Sequence, residues 1–187
     1  GLRAAAMKAP FIPTAVGLGT DALTGNADIH SIDSPYDDKE WLAMPALNLD
    51  AALVHVDRAD ARGVCQINGP DHYMDDLFVR AADQVIVSCD ELVDTEYFHQ
   101  DAAQSRTVFW ERSCTNKVVH IPCGAHPSSC TPLYGFDAAH FKAYAASAKS
   151  EGGWQSYFDE YVSLSESEYL NKVGGEDAVK ALPLPVY

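Results

Sequence analysis

The chain has 187 residues, of which 47% are hydrophobic, and its formal net charge is −14. This length and composition suffice for one domain with a buried core and exclude a fibrous or disordered chain. The 13 basic residues, against 27 acidic ones, exclude non-specific binding to nucleic acid or to an anionic membrane, because both require clustered positive charge.

The cysteines and the apolar runs indicate the compartment. The five cysteines are scattered and odd in number, unlike the framework of a secreted disulfide scaffold. No apolar run approaches the length that spans a bilayer, and we identify no signal peptide. We therefore expect a cytoplasmic protein with reduced thiols. Because the chain opens at Gly1 in a segment of helical character, we expect a fragment or a processed product.

The N-terminal segment predicts a short strand followed by a ligand-binding loop. Residues 1–9 are Ala-rich and are typical of the end of a helix, and residues 11–14 read as a strand. That strand leads into a loop with Gly17, Gly19 and Thr20. Because ligands of open α/β sheets bind at the carboxyl ends of strands, this loop is a candidate site segment.

The middle of the chain predicts the alternation of strands and helices that builds a parallel sheet. Residues 21–45 are expected to be irregular, since glycine, asparagine and proline punctuate them. Residues 49–57 form an apolar run typical of a strand buried on both faces, and residues 58–71 are expected to return as a hairpin. Residues 75–83 have helical spacing, and residues 84–88 are a second buried strand.

The last part of the chain predicts one more strand and then helices. The strand covers residues 117–123. Asp137 is expected to cap the first helix after it, and Ser165 with Glu168 forms a capping box for a later helix.

These elements predict a single α/β domain over residues 1–187. Its sheet is expected to be open and mainly parallel, because strands alternate with helices over short connections. Residues 137–187 are expected to form a helical C-terminal arm on this body.

The segment HIPCGAHPSSC concentrates the residue types that carry chemistry. His120, Cys123, His126 and Cys130 follow one another at intervals of three, three and four residues, which raises a zinc site as one interpretation. Structural zinc is usually held by two separated pairs, and His120 and Cys123 would point to opposite faces of their strand. We therefore prefer a strand followed by a ligand-binding loop, and predict neither a metal site nor a permanently bound cofactor.

Other nucleophile and ligand assignments are weaker. A Cys123–His126 or Cys130–His126 pair needs proximity and a lowered thiol pKa, whereas free cysteines more often pack as small hydrophobes. A serine hydrolase lacks its G-x-S-x-G elbow here. His55, on the first buried strand, is expected to be a satisfied core or edge histidine. Asn68 either points its amide into a site or shapes a turn.

Several motifs, taken together, resemble the α subunit of the class I CoA-transferase family. They are, in chain order, PFIPTAVGLGTD, SPY, AMPALNLDAALVHVDRAD, YMDDLF, VIVSCDELV and GAHPSSC. The combination in this order is specific, although no single motif is, and it extends from Gly1 to about residue 161. The most similar branches are the glutaconate-type transferases and a ring-opening hydrolase of bacterial steroid degradation.

The resemblance implies a fold, a partner and a reaction. It implies an open α/β fold, a heterodimer or α2β2 assembly with a homologous β subunit, and an acyl-CoA site at their interface, coenzyme A being part of the substrate. In the transferases a β-subunit glutamate attacks the thioester, giving an acyl anhydride and then a glutamyl-CoA intermediate. In the hydrolase branch the working glutamate belongs to the α subunit, before the helix that opens this chain. Neither branch implies a catalytic residue in this chain.

Two short sequence patterns bear on whether the chain resembles the transferase branch or the hydrolase branch. The family commonly has Gly-Asn where this chain has Gly63-Val64, which weakens a substrate contact at that loop. The G-x-D-x-Y pattern at Gly69, Asp71 and Tyr73, followed by DDLF, favours the hydrolase branch.

The predicted substrate-binding residues all lie in loops, where they would orient the acyl group or its developing oxyanion. They are Gly17, Gly19, Thr20, Asn68, Gly124, Ala125, His126 and Pro127. The first functional prediction is an α subunit for CoA transfer between carboxylic acids through the partner's glutamate. The alternatives are a subunit that hydrolyses a carbon–carbon bond of a cyclic, steroid-derived acyl-CoA, and a non-catalytic structural subunit.

Overall fold

The computed structural model describes residues 1–70 and 72–186, so Asp71 of the G-x-D-x-Y pattern lies outside the described residues. The strands in this part of the chain form two sheets. They are β1 (Phe11–Thr14), β2 (His30–Asp33), β3 (Glu40–Pro45), β4 (Leu49–Asp60), β5 (Cys65–Gln66), β6 (Ala82–Val93) and β7 (Lys117–His120).

Short helices connect and flank the strands. They are α1 (Leu2–Ala6), α2 (Ala22–Gly25), α3 (Asp75–Ala81), α4 (Ala102–Ser105), α5 (Ala138–Ser147), α6 (Gly153–Tyr157), α7 (Glu166–Lys172) and α8 (Gly175–Lys180). Single helical turns also occur, and the turn Phe158–Val162 continues α6. None of the helices in the described ranges combines the length and the hydropathy that crossing a bilayer requires.

The main sheet confirms the α/β class and the mainly parallel pairing. Its strand order is β5-β4-β6-β7, with β4, β6 and β7 parallel and β5 returning antiparallel beside β4 as the predicted hairpin. In the register of β4 and β6, His55 lies opposite Ser88. The carboxyl ends of the two longest strands therefore meet at one edge of the sheet.

One face of this sheet carries the main core. Val54 and Val56 of β4 pack with Val85 and Val87 of β6, and α3 and Trp110 contribute to the same cluster. On the opposite face the amino-terminal half of β4 is uncovered in the described part of the chain, where Leu53 is 78% exposed, whereas Asp57 nearer its carboxyl end is buried. The prediction that β4 is buried on both faces is therefore wrong for its first half, whose side chains alternate between a covered and an uncovered face.

The second sheet was not predicted. Its order is β1-β3-β2 and both pairings are antiparallel. Residues 21–45, expected to be irregular, contain β2 and β3, whose short alternating pattern lies among prolines and glycines. Consequently β1 exists as predicted, but the loop after it does not follow a strand of the parallel sheet.

A long loop after β7 joins the main sheet to the arm. β7 ends at His120, before the predicted end at residue 123, because the amide of Gly124 donates to the carbonyl of Ile121 at 3.1 Å and turns the chain. Beyond the loop, α7 and α8 pack Leu170, Val173 and Val179 against Cys123, Cys130 and Tyr134. Both cysteines are buried packing residues, as predicted.

The predicted caps of the arm are confirmed. The side chain of Asp137 accepts a hydrogen bond from the His140 amide at 2.9 Å at the start of α5. Ser165 and Glu168 form a reciprocal capping box at the start of α7.

Candidate functional site

A polar cavity lies beside the carboxyl-terminal half of β4. Its volume is about 250 Å³, and its lining includes His55, Asp57, Asp75 and Ser129. The lining comes from β4, the segment after β5, α3 and the loop that follows β7. The position is the one at which open α/β sheets bind ligands.

His55 is held between two side chains of the neighbouring strand. Its Nδ1 atom lies 2.9 Å from Ser88 Oγ, and its Nε2 atom lies 2.7 Å from Asp90 Oδ2. The parallel register creates this chain of hydrogen bonds, since Ser88 faces His55 and Asp90 lies two residues further on the same face. His55 retains 19% side-chain exposure, whereas Asp90 retains 2%, so the histidine is the member that a ligand can reach.

Asp90 is a buried carboxylate with several donors. Besides His55, the amide of Cys123 donates to Oδ1 at 2.6 Å and the hydroxyl of Tyr134 donates to Oδ2 at 2.9 Å. Burial opposes ionisation, but the hydrogen bonds from His55, Cys123 and Tyr134 together hold the pKa of Asp90 below its usual range. Asp90 is therefore ionised at neutral pH and orients the His55 ring.

The pKa of Asp57 is displaced in the opposite direction from that of Asp90. Burial raises the pKa of Asp57, and hydrogen bonds from the Asn68 amide and the Cys130 thiol offset this only in part. Two carboxyl groups with pKa values displaced in opposite directions, on either side of His55, can divide the acid and base roles of a reaction. The thiol of Cys130 is a donor here, because burial raises its pKa, and it is not poised as a thiolate nucleophile.

The hydroxyl of Thr131 is the least satisfied polar group at the cavity. Thr131 contributes to the lining, and its Oγ1 atom is buried with no hydrogen-bond partner among the described residues. Buried polar atoms are almost always paired, so an unpaired hydroxyl at a cavity wall is suited to a bound ligand.

The predicted loop at residues 124–127 contacts the cavity through part of its length. Ala125 lines the cavity, and Gly124 lies so close to His55 that a Cβ atom there would be 2.9 Å from the imidazole Cε1. The amides of Gly124, Ala125 and His126 donate to Ile121 O, Tyr134 Oη and Cys123 O, respectively. In this conformation the loop would therefore meet a ligand through its side chains and shape.

His126 contacts the helical arm. Its side chain is 2% exposed; Nδ1 lies 2.7 Å from the hydroxyl of Tyr169, and Nε2 lies 3.3 Å from Asp137 Oδ2. Burial lowers the pKa of His126 below its usual value. Pro127 follows it through a cis peptide bond. Substrate binding by these two residues remains a prediction.

The remaining predicted substrate-binding residues lie in two parts of the structure, one beside the cavity and one beyond β1. Asn68 lies beside Asp57, to which its backbone amide donates. Gly17, Gly19 and Thr20 form turns beyond β1, where the Thr20 hydroxyl donates to Gly17 O at 2.8 Å. The structure places these three next to the antiparallel sheet and not in the lining of the cavity beside His55. Their role in binding also remains a prediction.

The structure separates the four residues of the zinc interpretation. Cys130 lies near His55 and Asp90, whereas His126 lies near Asp137 and His140. His120 directs Nε2 to the carbonyl of Asp90 at 3.1 Å.

Sequence reasoning missed the central members of the site, namely His55, Asp57, Ser88 and Asp90. The sequence contains a pattern that could have predicted them, because a His-x-Asp and a Ser-x-Asp segment stand at the carboxyl ends of two predicted parallel strands. Such ends meet at one edge of a sheet, so these side chains could have been placed together.

Comparison with known proteins identifies relatives over most of the chain. A model described as Coenzyme A transferase matches residues 1–120. The chain is 38% identical over 175 residues to the cholesterol ring-cleaving hydrolase IpdA subunit of Rhodococcus jostii, covering 90% of this chain and 59% of that protein. It is 28% identical over 200 residues to a glutaconate CoA-transferase subunit of Acidaminococcus fermentans, covering 97% and 61%.

The fold is similar to that of a solved member of the same group. The crystal structure of the Acidaminococcus fermentans glutaconate coenzyme A-transferase superposes with a TM-score of 0.85, covering 97% of this chain and 61% of that one. The chain thus spans about three fifths of the length of the relatives it matches.

Proposed function

Because the chain belongs to the coenzyme A transferase family, we propose that it is part of an enzyme that acts on acyl-CoA thioesters. The observation that carries this proposal is the cavity beside His55, with the unpaired hydroxyl of Thr131 in its wall. The cavity holds the acyl group, and coenzyme A enters as part of the substrate, without a permanently bound cofactor.

The first reaction proposed is CoA transfer between carboxylic acids. A glutamate from the β subunit of the enzyme attacks the thioester carbonyl and expels CoA as a thiolate, leaving an acyl-glutamyl anhydride. The thiolate attacks the glutamyl carbonyl, which releases the donor acid as a carboxylate and gives glutamyl-CoA. The acceptor carboxylate then passes through the same steps in reverse, leaves as its CoA thioester and regenerates the glutamate. This chain supplies one wall of the pocket, in which Thr131 and His55 orient the acyl group. Both relatives are named as subunits, which supports a heteromeric enzyme, and we place it in the cytoplasm.

The second candidate is hydrolytic cleavage of a carbon–carbon bond in a cyclic acyl-CoA. The 38% identity with a ring-cleaving hydrolase subunit supports it. The charge of the cavity also favours it, since the carboxyl groups of Asp57 and Asp75 in the lining would repel a carboxylate acceptor but not water.

The two reactions are separated by assaying the full protein together with its partner subunit. CoA transfer consumes acyl-CoA only when acetate or succinate is supplied, whereas ring opening proceeds in water alone and incorporates its oxygen. The substrate series should include a cyclic β-diketone-like acyl-CoA. Absence of both activities at every acyl-CoA tested contradicts the proposal.

Variants test the contribution of this chain. Thr131→Val should raise KM for acyl-CoA with folding intact, because it removes a hydroxyl that has no hydrogen-bond partner in the described ranges 1–70 and 72–186. Thr24→Val, at an exposed position in α2, is the matched control. If Thr131→Val and His55→Asn both leave kcat/KM at the wild-type value, this chain is a non-catalytic structural subunit.

A further inference from the structure

A second group of ionisable side chains lies where the loop after β7 meets the helical arm. His126, Asp137 and His140 each offer a ligand atom, and these atoms lie within 4.8 Å of one another. Both histidines are buried and Asp137 is half-buried. None of the three belongs to the lining of the cavity beside His55.

One pair in this group has the spacing of two ligands on one ion. His126 Nε2 and Asp137 Oδ2 are 3.3 Å apart. Two atoms that each lie about 2.0–2.1 Å from a tetrahedral zinc ion are separated by roughly 3.4 Å. An ion can therefore replace the weak hydrogen bond between them with almost no change in their positions.

The ligand types of the group suit metal binding. Asp137 directs Oδ2 at His126, while its Oδ1 atom accepts from the His140 amide at 2.9 Å and so fixes the carboxylate at the start of α5. Two imidazoles and a carboxylate are a donor set of zinc and of other divalent transition ions.

The surroundings provide the outer contacts that ligand histidines require. The hydroxyl of Tyr169 lies 2.7 Å from Nδ1 of His126, and that of Tyr157 lies 2.8 Å from Nε2 of His140. When Nδ1 of His126 carries the imidazole proton, the hydroxyl of Tyr169 can accept it, and the lone pair of Nε2 is then free to bind an ion beside Asp137. Outer-shell partners of this kind fix the tautomer of metal-bound histidines.

We propose that His126, Asp137 and His140 form a binding site for a divalent transition-metal ion, with Zn²⁺ as the first ion to test. Binding moves the imidazole proton of His126 from Nε2, where it is donated to Asp137, to Nδ1, where it is donated to the hydroxyl of Tyr169, and solvent completes the coordination. The ion fastens the loop after β7 to α5, and the tyrosines of α6 and α7 secure its ligands. The site is separate from the proposed acyl-CoA chemistry, so either proposal can fail alone.

The test measures Zn²⁺ bound to the full protein after removal of metal with a chelator and dialysis against Zn²⁺. Wild type should bind one ion per chain, and Asp137→Asn should lose it. Folding of this variant is protected because asparagine caps a helix as well as aspartate does. Asp101→Asn, at the cap of α4, is the matched control and should retain the ion. Equal binding by the two variants, or none by wild type, overturns the proposal.

A second measurement separates coordination from a hydrogen-bonded cluster. Tyr169→Phe should weaken Zn²⁺ affinity about 10–100-fold, because it removes the outer partner of His126. Co²⁺-loaded wild type should show the visible absorption of an ion bound by protein ligands, and Asp137→Asn should abolish it. A Tyr169→Phe variant with wild-type affinity, or a Co²⁺ spectrum identical to that of the free ion, contradicts the assignment.

Discussion

Replacing Asp90 by asparagine should destabilise the protein strongly, although the two side chains have the same shape. Asp90 accepts hydrogen bonds from His55, the Cys123 amide and Tyr134, and its side chain is 2% exposed. An asparagine presents one oxygen and one NH₂ group, so at least one donor loses its acceptor. Hydrogen bonds to a charged group are worth about 1.5–3 kcal/mol each, so we expect a loss of about 3 kcal/mol in the free energy of unfolding.

Denaturant unfolding of Asp90→Asn against wild type measures this loss. Asp94→Asn, at an exposed position just beyond the end of β6, is the control and should change the free energy by less than about 0.5 kcal/mol. An Asp90→Asn variant as stable as this control would refute the reasoning that the buried carboxylate is ionised and multiply bonded.

The pH dependence provides an independent check on Asp90. Its pKa is lowered from 3.8 in the folded state, so its stabilising contribution is fully present above the unfolded value and is lost as pH falls through the folded one. The difference in stability between wild type and Asp90→Asn should therefore shrink on acidification below pH 3.8.

Three further changes test other parts of the structure. Gly124→Ala should cost about 1–3 kcal/mol in denaturant unfolding, since the new Cβ would lie 2.9 Å from both His55 Cε1 and Ile121 O, whereas Gly25→Ala meets no atom within 4 Å and should be neutral. The stability of wild type relative to Asp57→Asn should fall as pH rises from 3.8, because burial raises the pKa of Asp57 and its ionisation is therefore unfavourable in the folded state. A difference in unfolding free energy that does not change with pH would exclude this. Ser165→Ala should cost about 1 kcal/mol of thermal stability by removing the capping box, and an unchanged midpoint would show that α7 does not need its cap.

The parts of the fold that the sequence predicted are those with strong local signals. The apolar runs of β4 and β6, the helix between them and the capping residues of the arm were placed within a few residues. The antiparallel sheet was missed because β2 and β3 are short and interrupted by turn residues, and because their stability depends on pairing with β1. No short stretch of the sequence contains both strands of that pairing.

The site was predicted only in part for a related reason. Ala125 of the GAHP loop lines the cavity, but His126 contacts the arm through Tyr169, a residue 43 positions away. Likewise, His55 has partners 33 and 35 positions along the chain, which only the register of β4 against β6 brings together. The residue type of His55 predicted that its ring nitrogens would be hydrogen-bonded. The register of the sheet determined which side chains are the partners.

Ala125 and His126 are neighbours in the chain, yet one lines the cavity and the other is bonded to the arm. A shift of α5 or α7 therefore reaches the cavity wall through a single peptide unit. Thermodynamic linkage then requires reciprocity: a partner that docks on the arm and tightens acyl-CoA binding by some factor must itself bind tighter by the same factor when acyl-CoA is present. Titrating the partner with and without acyl-CoA measures that factor, and equal affinities would mean that the arm and the cavity act independently.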